Sequence, residues 1–409
     1  MAKDSSTITG LDIGSSHIRT VVAQVSSEYE QPQILAVSAS PSEGIHKGAV
    51  TSLDDAVTSI SVALEQAERL AGCPIERAVV GLSSHHLTSQ LSRGVVAVAK
   101  ADGEIREMDI DRVLQAAQAV SVPPNYEILH VIPKSYRVDH QEGVKDPLGM
   151  TGIRLEVEAQ LILGLTSQIK NLTRAIYRTG VDIDDLVLGI LACAEAVLDK
   201  QQKELGVGLV NIGASTTNVA VFEEGELMEV AVIPVGSGHI TADIAIGLRV
   251  AIDVAEKIKL AEGSAVPDEL SKRDEILLSK YDPNEKDRVA KKQVAEIIEA
   301  RLEEIFSLVQ KELAKVNRNG MLPAGLVFTG GGAKLPDLIS AARSYFKLPA
   351  SLGQSKDTPS ISEQLYDPEY ATAYGLILWG LKHRARLSPR RGAGPTMKTI
   401  KEWLKNLLP

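Results

Sequence analysis

Two segments from opposite halves of the chain repeat one order of residue types, and this internal echo constrains the fold more than any other sequence feature. Residues 10–25 and 210–221 each pass from an apolar stretch through Asp or Asn, Ile, Gly and a small residue to hydroxyl-bearing residues and a second apolar stretch. Apolar, β-branched runs on either side of a glycine turn are typical of paired strands. The echo therefore indicates two related halves, each of which supplies one glycine loop.

A third glycine loop also follows an apolar strand. The three loops are residues 11–16 (Leu-Asp-Ile-Gly-Ser-Ser), 211–218 (Asn-Ile-Gly-Ala-Ser-Thr-Thr-Asn) and 329–334 (Thr-Gly-Gly-Gly-Ala-Lys). Glycine beside small hydroxylic residues lets backbone N–H groups approach phosphate oxygens closely, and the hydroxyls donate further hydrogen bonds. Any one such loop is more often a simple turn. The three together predict a phosphate site, because the first also carries Asp12, which is able to hold Mg²⁺ through water. The sequence has neither a Walker motif nor G-x-G-x-x-G, which excludes the P-loop and Rossmann interpretations.

Composition narrows the class of protein. The 409 residues are enough for two or more domains with a sizeable core. A net charge of -9 and an aromatic content of 4% argue against nucleic-acid binding, because such proteins need basic surface and stacking side chains. Cys73 and Cys193 have neither zinc-ligand nor disulfide spacing, and residues 1–10 lack the apolar core of a signal peptide. A reducing cytoplasm is therefore expected.

Hydrophobic periodicity divides the chain into elements. It predicts helices at residues 54–71, 109–119, 167–179, 240–260 and 291–313, and a further helix from residue 336. Strands are expected at residues 8–24, 78–82, 94–99, 130–138, 155–163, 207–223 and from residue 326 into the third loop. Between residues 83 and 164 the pattern of predicted strands and helices changes, which indicates an inserted α+β subdomain.

The last residues form a basic amphipathic pattern at the end of an acidic chain. Helical spacing would place one apolar face beside three flanking lysines: Met397, Ile400, Trp403, Leu404, Leu407 and Leu408, with Lys398, Lys401 and Lys405. The segment is too short to span a bilayer, since a spanning helix needs about 20 apolar residues. An apolar face, one aromatic residue and cationic flanks after a basic, Pro- and Gly-containing stretch favour an interfacial anchor on anionic lipid. The alternative is a terminal helix packed on its own domain.

The three loops, in this order, resemble the phosphate 1, phosphate 2 and adenosine motifs of the superfamily that contains actin, sugar kinases and heat-shock chaperone ATPases. More narrowly, the chain resembles the FtsA family of bacterial cell-division proteins. That resemblance rests on residues 194–198, residues 236–259, the amphipathic C-terminus and residues 132–156, which are similar to a signature of a subdomain found in FtsA but not in actin. It implies an α/β, actin-like two-lobe fold of duplicated sheet-and-helix domains, with an inserted small α+β subdomain and a C-terminal amphipathic helix.

The resemblance also implies a domain layout. Its expected parts are lobe 1 (residues 1–83 and 164–200), the inserted subdomain (84–163), lobe 2 (201–239 and 315–382), a helical subdomain of lobe 2 (240–314), a basic flexible linker (383–396) and a membrane-targeting amphipathic helix (397–409).

Site residues follow from the same resemblance. Asp12 would hold Mg²⁺ through water, and Glu195 matches the position that orients the attacking water, although a half-buried carboxylate is its plain alternative. Glu256 and Lys259, one helical turn apart, would contact ribose and adenine. The expected ATP-binding residues are Gly14, Ser15 and Ser16; Gly213, Ala214, Ser215, Thr216 and Thr217; Gly236; and Gly330, Gly331, Gly332 and Lys334.

Two asparagines depart from the family pattern. Relatives usually have Asp where this chain has Asn211 and Asn218, and Asn keeps hydrogen bonds but removes charge. Asn211 therefore occupies a catalytic position, where we expect it to be less effective than Asp. We expect nucleotide binding to survive and hydrolysis to be at most slow.

By the resemblance, the function is a cell-division adaptor. Such a protein binds ATP, polymerises with itself, and anchors the C-terminal tail of FtsZ to the cytoplasmic face of the cell membrane at the division site; later membrane-embedded division proteins are further candidate partners, and nucleic acid is not. Lys292 and Arg301 on the helix at residues 291–313 are candidates for the acidic FtsZ tail, or simply part of a solvated helix face. Two alternatives stay open: a pilus-assembly adaptor like PilM, and a small-molecule kinase or true ATPase of the superfamily.

Overall fold

The computed structural model describes residues 5–26, 32–99, 102–271, 273–285, 287–355 and 363–387. The strands in these ranges are β1 (Ser5–Ile13), β2 (His17–Ser26), β3 (Gln33–Pro41), β4 (Ile45–His46), β5 (Ala49–Val50), β6 (Arg77–Leu82), β7 (Thr88–Ala97), β8 (Tyr126–Val138), β9 (Gln141–Val144), β10 (Arg154–Leu165), β11 (Asp182–Leu188), β12 (Val207–Ile212), β13 (Thr217–Glu223), β14 (Glu226–Ile233), β15 (Glu275–Leu277), β16 (Arg288–Ala290), β17 (Leu326–Thr329) and β18 (Ala350–Leu352). The α-helices are α1 (Leu53–Ala71), α2 (Glu107–Gln118), α3 (Thr166–Tyr177), α4 (Gly189–Val197), α5 (Lys200–Leu205), α6 (Ser237–Leu248), α7 (Ile252–Glu262), α8 (Lys291–Lys315), α9 (Leu338–Phe346) and α10 (Ala371–Leu387).

Two five-stranded sheets have the same topology, which confirms the predicted duplicated fold. The first has the strand order β11-β6-β1-β2-β3 and the second β14-β13-β12-β17-β18. In each, three consecutive strands form an antiparallel meander, and two later strands add in parallel beside the first strand of the meander. The inner strands are nearly continuous runs of buried apolar residues because helices cover both faces of each sheet.

This topology positions the predicted loops. The first loop follows β1 and the second follows β12, the equivalent strands of the two sheets. In the register of the meanders, Asp12 lies opposite Arg19 and Asn211 lies opposite Asn218. Ligand sites of α/β sheets lie at the carboxyl ends of such central strands, so the strand order places both loops where a shared site can form.

Helices α4 and α10 pack between the lobes and join their cores. The main hydrophobic cluster runs from β1 and β6 through both helices to β12 and β13. The crossing of α10 over α4 is close enough that a Cβ on Gly375 would lie 2.0 Å from the carbonyl oxygen of Ala192. Residues 383–387, predicted as the start of the linker, instead continue α10. The rest of that linker and the helix predicted at residues 397–409 lie outside the described residues.

The inserted subdomain has its own sheet and core. Strands β7, β10, β8 and β9 form a four-stranded antiparallel sheet, and α2 packs against it around Ile105, Val113 and Leu155. The close contact of α2 with β7 requires glycine at position 94, because a Cβ there would lie 2.1 Å from the carbonyl oxygen of Val113. Strand β7 begins at Thr88, before the predicted residue 94.

One predicted helix is in fact two. Residues 240–260 were expected to form a single helix, but α6 ends at Leu248 and α7 begins at Ile252. Arg249 between them has a left-handed backbone, with φ of 56°. The long helix α8 is confirmed and buries Val294, Ile298 and Leu302 against lobe 2. No helix within the described ranges is both long enough and apolar enough to cross a membrane.

Candidate functional site

A cleft of about 520 Å³ lies between the lobes, within the size range of small-molecule sites. The structure brings all three predicted loops to its walls. From those loops the lining residues are Asp12, Ile13, Gly14, Ser15, Ser16, Asn211, Gly213, Ala214, Ser215, Thr216, Asn218, Gly330, Gly331, Gly332 and Lys334. Further lining residues include His17, Arg19, Ser237, Glu256, Lys259, Glu369 and Thr372.

The first two loops share one turn geometry. The N–H of Gly14 donates to the carbonyl oxygen of His17 at 3.2 Å, and the N–H of Gly213 donates to that of Thr216 at 2.8 Å. A Cβ on Gly14 would lie 2.6 Å from the His17 carbonyl oxygen, so a side chain would break this turn. The same chemistry in both lobes gives the cleft two opposed glycine turns whose small residues leave room for a ligand.

The two loops touch across the cleft. The hydroxyl of Ser215 donates to that of Ser15 at 2.7 Å, which links lobe 2 directly to lobe 1. The backbone N–H of Gly48 donates to Ser15 at 3.3 Å, and that of Lys47 donates to Ser215 at 3.1 Å. These hydroxyls are therefore held at the point where the lobes meet.

Gly330 in the third loop packs closely against the second loop. Its φ is 84°, a left-handed backbone that favours glycine, and a Cβ there would lie 2.3 Å from Oδ1 of Asn211. Its N–H donates to the carbonyl oxygen of Pro368 at 3.1 Å. The third loop therefore packs on the end of β12 and on the segment that leads into α10.

Asp12 lies at the base of the cleft. Burial raises the pKa of its carboxyl to about 6, although the nearby Arg19 guanidinium acts in the opposite direction. At neutral pH the side chain is still largely ionised. Charge that is expensive to bury in this way becomes favourable when a cation neutralises it, so Asp12 suits a role beside Mg²⁺.

This pKa predicts a pH dependence. If Asp12 holds the hydrated Mg²⁺ that the family resemblance implies, its carboxyl must be ionised, and affinity for Mg²⁺ with nucleotide should fall as pH decreases through about 6. A carboxyl with that pKa is mostly protonated at pH 5, so binding there should be about tenfold weaker than at pH 7. Titrations at both pH values check this, and Asp12→Asn is the control, since the variant retains every other pH dependence, including those of the nucleotide and of His17 in the cleft lining. Equal pH dependence in parent and variant would contradict the assignment.

The two asparagines lie on neighbouring strands at the end of the second sheet. Nδ2 of Asn211 donates to Oγ1 of Thr372 at 3.0 Å and lies 3.8 Å from Sγ of Cys193. Burial raises the pKa of the Cys193 thiol to about 12, so it is a neutral, inert neighbour. Oδ1 of Asn218 is buried without a hydrogen-bond partner among the described residues. A buried, unpaired acceptor that lines a cleft is the kind of group that a ligand or its water satisfies.

Glu256 and Lys259 face the cleft together from α7. Nζ of Lys259 lies 2.7 Å from Oε2 of Glu256 and donates to Oγ1 of Thr241 at 2.9 Å. The hydroxyl of Thr241 also bonds to Glu256. Lys259 and Thr241 are buried, so this trio is a preorganised polar wall on the lobe 2 side.

Two residues of the predicted set support the second loop from behind and do not line the cleft. A Cβ on Gly236 would lie 2.5 Å from the carbonyl oxygen of Gly213, so glycine lets the start of α6 approach the loop. Thr217 is fully buried and donates to the carbonyl oxygen of Val235 at 2.8 Å. Its side chain is turned away because neighbouring residues of a strand alternate between faces.

The water-orienting role predicted for Glu195 is not supported by its position. Successive helical residues are rotated by about 100°, so Glu195 on α4 points away from the side on which Cys193 faces Asn211. Its two carboxylate oxygens lie 3.1 Å from Nζ of Lys203 and 3.0 Å from Nζ of Lys382. Despite burial, which opposes it, these lysines hold the pKa of Glu195 below its usual value. Glu195 is a structural ion-pair residue that ties α4 to α5 and α10.

The predicted partner-binding cations are also already paired. Nζ of Lys292 lies 3.0 Å from Asp268, a surface pair that stabilises little. Arg301 makes a bidentate pair with Asp243, at 2.6 and 2.8 Å. An acidic peptide would have to displace Asp243 to use Arg301.

Sequence reasoning missed Arg19, Glu369 and Thr372. Arg19 had a local signal, since it interrupts the apolar run of β2 opposite Asp12. Glu369 and Thr372 had none. They reach the cleft because the segment that holds Glu369 and the first turn of α10, which holds Thr372, cross from lobe 2 back to lobe 1, and only the tertiary fold reveals this.

Comparison with known proteins fits this architecture. The family model described as cell division protein FtsA matches residues 208–375, and the model of the SHS2 domain inserted in FtsA matches residues 84–163. Cell division protein FtsA of Pseudomonas aeruginosa is 34% identical over 97% of this chain and 97% of its own length. The chain belongs to the FtsA family of cell-division proteins. The FtsA of Bacillus subtilis is 39% identical over 93% of this chain and 84% of its own length.

Solved structures agree on the fold. A chain of the PilM–PilN type IV pilus biogenesis complex has a TM-score of 0.66 at 18% identity and covers 93% of this chain and 99% of its own. MreB5 of Spiroplasma citri bound to ADP has a TM-score of 0.55 at 12% identity and covers 93% and 98%. This chain is thus a cell-division protein of the FtsA family with an actin-like fold and an inserted SHS2 domain.

Proposed function

We propose that the cleft binds ATP with Mg²⁺. The observation that carries this proposal is the pair of equivalent glycine turns, one from each duplicated sheet, that face each other with Ser15 and Ser215 in contact. The residues present fit such a ligand. Asp12 is a half-buried carboxylate with a raised pKa, Asn218 offers an unpaired acceptor, and the glycines leave space for phosphate oxygens.

In this assignment each wall has one task. Asp12 would hold the hydrated Mg²⁺, and the first two loops would hold phosphate oxygens through backbone N–H groups and hydroxyls. Glu256 and Lys259 would contact the nucleoside, and the third loop would close over it. When bound, Mg²⁺ supplies charge neutralisation at the phosphate chain.

Hydrolysis is proposed to be slow or absent. The described cleft has amide side chains at positions 211 and 218. Besides Asp12 it has the carboxylates of Glu256 and Glu369, and both of these pair with cations. Apart from Asp12, the described lining therefore holds no unpaired carboxylate that could act as a general base for water. This argues against the small-molecule kinase alternative, which needs a catalytic Asp.

Restoring one carboxylate should raise hydrolysis. Asn211→Asp keeps the size of the side chain, and the hydroxyl of Thr372, which now accepts from Asn211, can rotate to donate to the new carboxylate, so the loop should remain intact. We expect the basal ATP hydrolysis rate to increase by up to about 10²-fold, the lower range of general acid–base effects. Phosphate release measured at saturating Mg-ATP tests this, with Asn317→Asp as the control, since Asn317 lies outside the cleft lining, next to Arg318, which pairs with Glu223 at the opposite end of β13 from Asn218. Parent turnover in the ordinary enzyme range, about 1–10³ s⁻¹, would refute the adaptor assignment.

We further propose that the protein is an adaptor. It would polymerise with itself and tether the C-terminal tail of FtsZ to the cytoplasmic face of the membrane through the basic amphipathic segment at residues 397–409. The helical subdomain at residues 240–314 is the proposed FtsZ site. Since Lys292 and Arg301 are paired, the acidic tail would engage this face by exchanging with Asp268 and Asp243.

Co-sedimentation tests the adaptor function. Anionic vesicles, Mg-ATP and FtsZ are mixed with the full chain or with a chain that ends at residue 387. The full chain should carry FtsZ into the pellet, and the shortened chain should leave it in the supernatant. FtsZ without its C-terminal tail is the control and should stay soluble in both. Equal recovery with the shortened chain would contradict the tether.

A further inference from the structure

The cations that line the described part of the cleft are already neutralised by carboxylates. Lys259 pairs with Glu256 and Arg19 pairs with Glu369, whereas Lys334 lies 2.5 Å from Asp367 and 3.4 Å from Glu369. The described lining carries the acids Asp12, Glu256 and Glu369 and the bases Arg19, Lys259 and Lys334, so its formal side-chain charge is balanced. A phosphate chain that enters this cleft gains a cation only by displacing a carboxylate.

Glu369 is positioned to bridge the lobes. Its Oε2 lies 2.5 Å from Nη2 of Arg19 on β2 of lobe 1, and its Oε1 lies 3.4 Å from Nζ of Lys334 in the third loop of lobe 2. The backbone before it is anchored, because the carbonyl oxygen of Pro368 accepts from the N–H of Gly330 and from Oγ1 of Thr329. The carboxylate therefore extends from a fixed point on lobe 2 to lobe 1.

Arg19 has donor capacity left over. Its Nε is buried and has no acceptor among the described residues, and its side chain is only 15% exposed. A guanidinium whose Nε–H is buried and unused is incompletely satisfied by one carboxylate oxygen. Phosphate groups match a guanidinium through two parallel hydrogen bonds, which a single Glu369 contact does not provide.

We propose that Glu369 is a competing anion that the phosphate chain of the nucleotide displaces from Arg19. The carboxylate thereby sets the affinity of the cleft and makes it depend on the number of phosphate charges. This inference rests on the proposed nucleotide function. It also links binding to shape, because displacement breaks an ion bridge between the lobes and a ligand shifts the population toward the state it prefers.

Removal of the competing charge should strengthen binding in proportion to ligand charge. In Glu369→Gln the side chain keeps its size but no longer neutralises Arg19, while Lys334 keeps its pair with Asp367. Calorimetric titration in Mg²⁺ buffer should then give about tenfold tighter binding of ATP, a smaller gain for ADP and no change for adenosine. A merely structural role would shift all three ligands together.

Matched variants isolate the effect. Glu262→Gln removes a carboxylate that pairs with Lys280 and Lys291 outside the cleft, and it should leave all three affinities unchanged. Arg19→Gln should weaken ATP binding, and Arg19→Gln/Glu369→Gln should lose most of the gain, because the freed cation is gone. Glu369→Ala, which leaves space and no amide, must change ATP affinity in the same direction as Glu369→Gln.

The outcomes separate the two hypotheses. If the parent chain binds no ATP, the proposed nucleotide function fails. If the parent binds ATP but Glu369→Gln and Glu369→Ala bind it as tightly as the parent or more weakly, the competing-anion role is overturned. Glu369 would then only hold the two lobes together through its ion pairs. An equal gain for adenosine would overturn it as well, since adenosine has no phosphate to compete.

Discussion

Asp12→Ala is expected to weaken binding of Mg-ATP by about 10- to 100-fold, the usual cost of removing a group that orients a metal site through its water shell. The variant removes the one carboxylate that the first loop contributes to the cleft. Little loss of stability is expected, because burial of this charge is unfavourable, as its raised pKa of about 6 shows. Titration of a fluorescent ATP analogue in Mg²⁺ buffer measures the effect.

The same titration in EDTA gives the decisive control. Without Mg²⁺ the Asp12 carboxylate only repels the phosphates, so Asp12→Ala should bind as tightly as the parent or more tightly. Asp54→Ala, on the exposed first turn of α1, should match the parent in both buffers. An equal loss with and without Mg²⁺ would show that Asp12 shapes the loop and does not act through a cation.

Trp403→Glu should release the protein from anionic vesicles. The fraction of protein bound to vesicles should fall at least about tenfold, because the substitution removes the apolar burial of the indole ring. The prediction follows from the opposition between an acidic chain, with a net charge of -9, and its basic end. Each Lys near an anionic surface contributes about 1 kcal/mol, so charge and apolar burial are both needed for stable attachment. Polymerisation on the membrane would add avidity.

Matched measurements separate the two contributions. Lys401→Gln should weaken binding by about fivefold, the equivalent of one charge. Added salt should reduce binding of the parent without abolishing it, because screening acts on charge and not on apolar burial. Nucleotide affinity should be the same in every tail variant. If Trp403→Glu still pellets as well as the parent, the tail packs on its own domain and the anchor hypothesis fails.

Local patterns in the sequence were enough to predict the architecture around the cleft. The echo of residues 10–25 at residues 210–221 predicted two equivalent hairpins, and the sheets have them. The helix ending at Gly72 was predicted as well, because glycine readily adopts the left-handed backbone found there, with φ of 70°. Strand period, glycine turns and caps depend on residues near one another in the chain, so one sequence contains them.

Only the tertiary structure decided the orientations of side chains and the pairs formed between residues far apart in the chain. Glu195 lies in a matching motif, yet the packing of α4 turns it toward Lys203 and Lys382. The break between α6 and α7 arises at a non-glycine residue, Arg249, that no propensity marks. Glu369 meets Arg19 across 350 residues of chain. The sequence by itself determined which loops line the cleft, because each loop is a local turn. The fold alone decided which charges face each other across it, because those distances depend on how the two lobes pack.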